Sequence, residues 1–226
     1  MNGGSGLTGM NGNSGSNRVE VFVVRTGTAN LASVLAGFQR IGVGAHLTDS
    51  AEIAREAELL VLPGVGAFGA AADSLRRGGL MGALSDRVRR GRPLLAICLG
   101  LQLLFEESEE SPGARGLGIL PGRVGRFPSG VRVPQLGWNL VEPDPACRLL
   151  TRSPAYFANS YRATEVPEGW SAAYADHGGR FIAAIERGSL LACQFHPELS
   201  GTWGRDLLRR WLYNAAGVPL VREASC

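Results

Sequence analysis

The first clear pattern along the chain is a short β-branched run, Val19-Glu-Val-Phe-Val-Val24, suited to a buried strand. Leu31, Val34, Leu35, Phe38 and Ile41 follow at the spacing of an amphipathic helix, which predicts helix over Asn30 to Ile41. A weaker strand is expected near Ala45 to Thr48, and Ser50 is placed to cap a short helix through Arg55. Leu59-Leu-Val-Leu62 reads as the next strand, with helices over Ala67 to Arg77 and Leu80 to Arg90. Pro93-Leu-Leu-Ala-Ile97 is again fully apolar and runs straight into Cys98 and a helix to Phe105. This alternation is the rhythm of a parallel sheet with helices on both faces.

From about Gly118 the pattern changes to short strands separated by turn signals. They are expected at Leu136 to Val141, Tyr156 to Tyr161, Ala172 to Tyr174, Phe181 to Glu186 and Leu190 to Phe195. A last helix, about Trp203 to Ala216, carries Leu207, Leu208, Trp211 and Leu212 on one stripe. The expected fold is one α/β domain over residues 18–217. Its central sheet is mostly parallel and flanked by helices, with extra short antiparallel strands.

The ends differ in character. Of the first 17 residues, 13 are Gly, Asn or Ser, without charge or an apolar core, so residues 1–17 read as a flexible leader rather than a signal or transit peptide. Residues 218–226 read as a tail. The longest apolar runs, Leu59 to Ala72 and Pro93 to Phe105, fall short of the ~18 residues of a membrane span. No membrane association is expected.

Composition narrows the chemistry. All 23 basic residues are arginine, which excludes Schiff-base lysine chemistry and the lysine of a phosphate-binding loop. A net charge of +3 is too mild to indicate nucleic acid, and the group Arg87, Arg89, Arg90 and Arg92 reads as the solvated face of a helix. Four cysteines without a C-x-x-C pair suggest a reducing compartment, so a cytoplasmic location is expected, and no structural zinc.

Gly64-Val-Gly-Ala-Phe-Gly69 matches G-x-G-x-x-G after a strand, the fingerprint of dinucleotide sites. It stands at the wrong strand-to-helix turn, and Asp86, at the right distance, falls in a helical stretch, so no nucleotide cofactor is expected. What remains is a glycine-rich backbone with N–H groups free to bind an anion.

Cys98 stands at an abrupt strand-to-helix turn between small residues, Ala96 and Gly100. Such an elbow lifts a side chain clear of the sheet, and a helix N-terminus beside the sulfur favours the thiolate. Far along the chain, Gln194-Phe-His196-Pro-Glu198 follows a buried strand. In extended backbone His196 and Glu198 share a face, so the carboxylate can fix one ring nitrogen and leave the other for a nucleophile. His46, in a weak strand, and His177, in a turn, lack metal-ligand spacing, and no metal is expected. Cys147 and Cys193 read as packing residues, Cys226 as part of the tail, and Glu106, Glu107, Glu109 and Glu110 as a solvated helix end and loop.

An elbow cysteine with a distal H-P-E resembles the triad-type class I glutamine amidotransferases. Within them, Pro63-Gly-Val-Gly-Ala-Phe-Gly69, Gly137-Trp-Asn139 and Tyr156-Phe-Ala-Asn-Ser-Tyr161 resemble the glutaminase subunits of imidazole glycerol phosphate synthase. The resemblance implies the class I amidotransferase fold, with Cys98 as nucleophile, His196 as base and Glu198 as its orienter. It implies an oxyanion hole from the N–H groups of Val65, Gly66 and Leu99, and glutamine contacts at Gly64, Gly66, Gln102, Ser160 and Tyr161. It implies a heterodimer with a (β/α)₈-barrel cyclase subunit, reached through Asn30, Gln135, Trp138, Asn139 and Leu199. No cofactor is implied. The chain departs from the family pattern at Arg25-Thr-Gly-Thr-Ala-Asn30, Ala96, Gln135, Asn159 and Leu199, the last being commonly a lysine. Arg205 or a neighbour is a candidate to replace that lysine's ion pair. The alternatives are the glutaminase of an anthranilate, aminodeoxychorismate or pyridoxal phosphate synthase, and a non-catalytic binding subunit on the same fold.

Overall fold

The alternating half runs β1 (Glu20–Val24), α1 (Leu31–Gln39), β2 (Gly44–Thr48), α2 (Ala51–Glu56), β3 (Leu59–Gly64), α3 (Phe68–Arg77), α4 (Leu80–Arg89), β4 (Leu94–Cys98) and α5 (Leu99–Gln102). It continues through β5 (Phe105–Ser108), β6 (Leu120–Arg126), β7 (Gln135–Pro143), β8 (Ser153–Asn159), β9 (Tyr161–Arg162), β10 (Ser171–Asp176), β11 (Arg180–Arg187) and β12 (Leu190–Cys193). A 3₁₀ turn at Pro197–Leu199 and helix α6 (Gly201–Ala215) close it. The computed structural model describes residues 19–27 and 30–217. The expected leader and tail, with Cys226, lie outside the described residues.

Among the described residues the main sheet has nine strands, in the order β2-β1-β3-β4-β12-β11-β10-β7-β8. The first five are mutually parallel, and each strand after β12 pairs antiparallel. The expected antiparallel strands therefore extend the parallel sheet from β12. The remaining strands, β5, β6 and β9, form a small side sheet.

The unbroken apolar runs of β3 and β4 follow from burial on both faces. Leu60, Leu62, Leu94 and Ala96 pack into one core with α3 and α4. Leu59, Val61, Leu95 and Ile97 face the opposite way, into a core with α1 and α6. Ser50 caps α2 as expected, its side chain accepting from the Ile53 N–H. Asn30, expected as the first helical residue, instead caps α1 by accepting from the Ser33 N–H.

Four expectations change. The helix after Cys98 ends at Gln102, and Phe105 begins a strand that pairs with β6, Phe105 opposite Leu120 and Ser108 opposite Val124, with an irregularity between Phe105 and Glu107 that leaves both end residues buried. Strand β6 went unforeseen, since glycines at 122 and 125 and only two buried residues, Leu120 and Val124, mask it. The strand expected over Tyr156 to Tyr161 starts at Ser153 and breaks at Ser160. Arg87 is fully buried rather than solvated, whereas Arg89 and Arg90 are exposed. Its guanidinium donates to the carbonyls of Pro93, Ala54 and Glu58 at 2.6–3.2 Å, tying α4 to the end of α2 and the start of β4. Burial, with the charge of Arg92, lowers its pKa to about 10.

Candidate active site

β3, β4 and β12 are adjacent and parallel, so their C-terminal ends share one edge of the sheet. Gly64 pairs with Cys98 and Ile97 with Cys193, which gathers the elbow, the glycine-rich segment and the H-P-E segment at that edge. This is where open α/β sheets present ligand sites.

Cys98 has φ 54° and ψ −111°, and it is the non-glycine residue with positive φ among those described. The turn is tight because Gly100 lies against β3: a Cβ there would stand 2.0 Å from the Leu62 carbonyl oxygen. Only glycine fits. α5 begins at Leu99, directly after the sulfur-bearing residue.

His196 is held by its backbone N–H, which donates to the Tyr156 carbonyl on β8 at 2.9 Å. The Glu198 Oε1 meets His196 Nδ1 at 2.8 Å, with the two side chains 2% and 7% exposed. The contact is the expected one, but its origin differs. Glu198 lies in the 3₁₀ turn that Pro197 opens, so a turn brings the carboxylate back to the ring. The Ser200 hydroxyl donates to the His196 carbonyl at 2.6 Å and accepts from the Tyr156 N–H at 3.0 Å. Helix α1 closes over the pair, and a Cβ on Gly37 would stand 2.9 Å from the Glu198 Cβ.

With Nδ1 committed to Glu198, Nε2 is the ring nitrogen left for Cys98, which lines the same cleft. Burial alone would lower the His196 pKa, but hydrogen bonds and charge from Cys98 and Glu198 outweigh it and hold the pKa up to about 10. The other described thiols have different surroundings. Burial and the charges of Glu186 and Asp144 push Cys147 up to about 12, and burial pushes Cys193 well up. Both are packing residues, as expected from the sequence.

Cys98 and His196 open onto a cleft of about 230 Å³, whose wall includes Val65, Gly66, Leu99, Gln102, Ser160 and Tyr161. Nearly all residues expected around glutamine thus line one cleft. Gly64 lies just beneath it, against Leu99. A larger hollow of about 350 Å³ over the side sheet, bordered by Glu109, Arg123, Arg126 and Arg162, contains none of them.

The glycine-rich segment needs a correction. The N–H groups of Phe68 and Gly69 are not free for an anion, because Glu110 Oε2 accepts the first at 2.6 Å and Ser111 Oγ the second at 3.0 Å. Val65 and Gly66 (φ 87°) are the part that faces the cleft. The acidic run is solvated at Glu106 and Glu109, as expected, but it lies on β5 and the turn after it rather than at a helix end. Glu106 accepts from the Gly122 N–H, Glu109 pairs with Arg123, and Glu110 also lines the cleft.

Two residues were missed from sequence. Glu110 was hidden in the acidic run. Gln194, fully buried, donates from Nε2 to Cys98 Sγ at 3.7 Å and accepts at Oε1 from Gln102 Nε2 at 3.0 Å. Its position at the end of an apolar strand, before H-P-E, was the available signal.

The residues assigned to a partner surface divide. Trp138 is 59% exposed and packs edge-on to Tyr156, while Leu199 is 40% exposed. Leu136, not anticipated, is 66% exposed on the same strand as Trp138. Asn30 is exposed, and Asn139 donates to the Asp176 carbonyl. Gln135 is instead turned inward, 6% exposed, opposite Asn159. Arg205 is bonded to Thr202 at 2.9 Å. His46 pairs loosely with Glu20 at 3.6 Å, and His177 Nε2 meets the Arg132 carbonyl oxygen at 2.7 Å.

A model of the family glutamine amidotransferase class-I matches residues 26–215. The chain is 42% identical over 195 residues to imidazole glycerol phosphate synthase subunit HisH of Symbiobacterium thermophilum, covering 84% of this chain and 92% of that one. It is 43% identical to the subunit of the same name from Methanothermobacter thermautotrophicus, covering 85% and 97%. It is 40% identical to the chloroplastic imidazole glycerol phosphate synthase hisHF of Arabidopsis thaliana, covering 91% of this chain and 36% of that one. A solved glutamine amidotransferase shares the fold, with a TM-score of 0.70 over 87% of this chain and 98% of the other, at 24% identity.

Proposed function

The chain belongs to the glutamine amidotransferase class-I family, and from that premise we propose that it is the glutaminase subunit of an imidazole glycerol phosphate synthase in histidine biosynthesis. The observation that carries the reading is the Cys98, His196 and Glu198 constellation opening onto one cleft at the strand ends.

The Cys98 thiolate attacks the side-chain amide carbon of glutamine. The N–H groups of Leu99 and of Val65 or Gly66 hold the oxyanion. His196, protonated through Nε2 and steadied by Glu198 at Nδ1, gives its proton to the departing nitrogen as the C–N bond breaks, leaving a γ-glutamyl thioester. Water, deprotonated by His196, attacks the thioester, and the C–S bond breaks to release glutamate and regenerate Cys98. Gln102, Ser160, Tyr161 and the Glu110 carboxylate bind the rest of the substrate.

Ammonia passes to a barrel-shaped cyclase subunit docked on Leu136, Trp138 and Leu199, a face that adjoins the Tyr156 strand holding His196. The plant relative supports a joined arrangement, since this chain spans only 36% of it. Residues 18–217 form the catalytic domain in this reading. No described helix is long and apolar enough to cross a membrane, and a cytoplasmic location fits the free thiols of Cys98, Cys147 and Cys193.

The test is glutamine turnover by the full chain alone, and with a cyclase subunit and its nucleotide ligand. Gly66 lets its peptide adopt either orientation, so the isolated subunit is expected to be weakly active and to gain on the order of 10²-fold in the complex. Full activity of the isolated subunit would contradict this gating. A chorismate-binding partner in place of the cyclase would contradict the pathway.

A further inference from the structure

We propose that Gln194 is a positioning residue: its amide fixes which atom Gln102 presents to the substrate and directs an N–H to the Cys98 sulfur. The inference rests on the reading of this cleft as the glutamine site.

The argument follows the donors. Gln102 Nε2 donates to Gln194 Oε1 at 3.0 Å and to the Tyr161 carbonyl at 3.3 Å, so both protons of its amide are used. Its remaining polar atom, Oε1, is an acceptor at a residue that lines the cleft. An acceptor there suits the α-ammonium of an amino acid. Rotating Gln102 by half a turn would set its oxygen against Gln194 Oε1 and the Tyr161 carbonyl, three acceptors together.

The same constraint orients Gln194. With Oε1 accepting from Gln102, its Nε2 points at Cys98 Sγ, 3.7 Å away. A reversed Gln194 would place two NH₂ groups face to face. The residue is fully buried, so water cannot relieve either mismatch. Its backbone is anchored as well, its N–H donating to the Ala183 carbonyl at 2.8 Å. Asn159 supports the arrangement from the other side, giving a second donor to the Tyr161 carbonyl at 3.0 Å. One buried amide thus links the attacking sulfur to the side chain that binds the substrate's far end.

Two variants separate the two contacts. Gln194→Glu keeps the acceptor for Gln102 and loses the donor to Cys98, while Gln194→Met fills the space and loses both. Each is assayed in the complex for kcat and KM with glutamine. Without substrate, the rate of Cys98 alkylation by iodoacetamide at pH 7 is followed by peptide mass. Gln194→Glu is expected to hold KM near wild type while kcat and alkylation fall about tenfold, the weight of one buried hydrogen bond. Gln194→Met should add a rise in KM of about tenfold. Wild-type KM and alkylation in both variants, or a loss of thermal stability with unchanged kinetics, would reduce Gln194 to core filling. Absence of Cys98-dependent turnover in the wild-type complex would overturn the glutaminase reading instead. The alkylation comparison, needing no substrate, would still decide whether Gln194 acts on the sulfur.

Discussion

Cys98 holds a backbone conformation that costs on the order of 1–3 kcal/mol in an L-residue, and the close approach of Gly100 to β3 keeps it there. The strained turn sets the sulfur in the cleft that the His196 ring also lines, and the ring's own orientation comes from Glu198. A pH dependence follows. The His196 pKa is raised to about 10 in the folded chain, above the ~6.5 of an unfolded one. The imidazolium therefore stabilises the fold fully below about pH 6.5, and this contribution is lost as pH rises toward 10. Glu198→Gln removes one of the groups that raise the pKa. The gap in melting temperature between wild type and Glu198→Gln should thus be widest near pH 6 and narrow toward pH 10. The alkaline limb of glutaminase activity should also move to lower pH in the variant. A gap independent of pH would show that Glu198 acts by packing alone. The triad was legible in the sequence because its residues stand at local punctuation, an elbow between small residues and a proline between acid and base. Gln194 was not, since an amide ending an apolar strand looks like its continuation, and its partners lie 92 and 96 positions away.

At the scale of elements, α2, α4 and β4 meet around the buried guanidinium of Arg87, which satisfies carbonyls that would otherwise lie unpaired. A lysine offers a compact ammonium without the planar fork, so Arg87→Lys should destabilise by about 2 kcal/mol. For a chain of this size that corresponds to roughly 4–8 °C in melting temperature, with kcat unchanged at 25 °C. Thermal unfolding with the assay run alongside checks it. An unaltered melting temperature would mean that the carbonyls find other partners. The parallel half of the fold was readable because strands buried on both faces must be apolar throughout, as β3 and β4 are. The side sheet was not. The acids of β5 point outward and look like a helix end, and β6 buries only Leu120 and Val124. Arg87 was misread for a related reason: helical periodicity does not say which arginine of a cluster faces a neighbouring helix.

For the whole molecule, one edge of the sheet carries the thiol, its base and the substrate cleft, and the turn that holds Glu198 also carries the exposed Leu199. Every part of this arrangement depends on the claim that Cys98 carries the γ-glutamyl group. The direct measurement is an acid quench of the subunit–cyclase complex during glutamine turnover, followed by mass analysis of its peptides. The account predicts a γ-glutamyl adduct on the Cys98 peptide, and neither adduct nor ammonia in Cys98→Ala. Ammonia release by Cys98→Ala at the wild-type rate, or an adduct on a different residue, would contradict it.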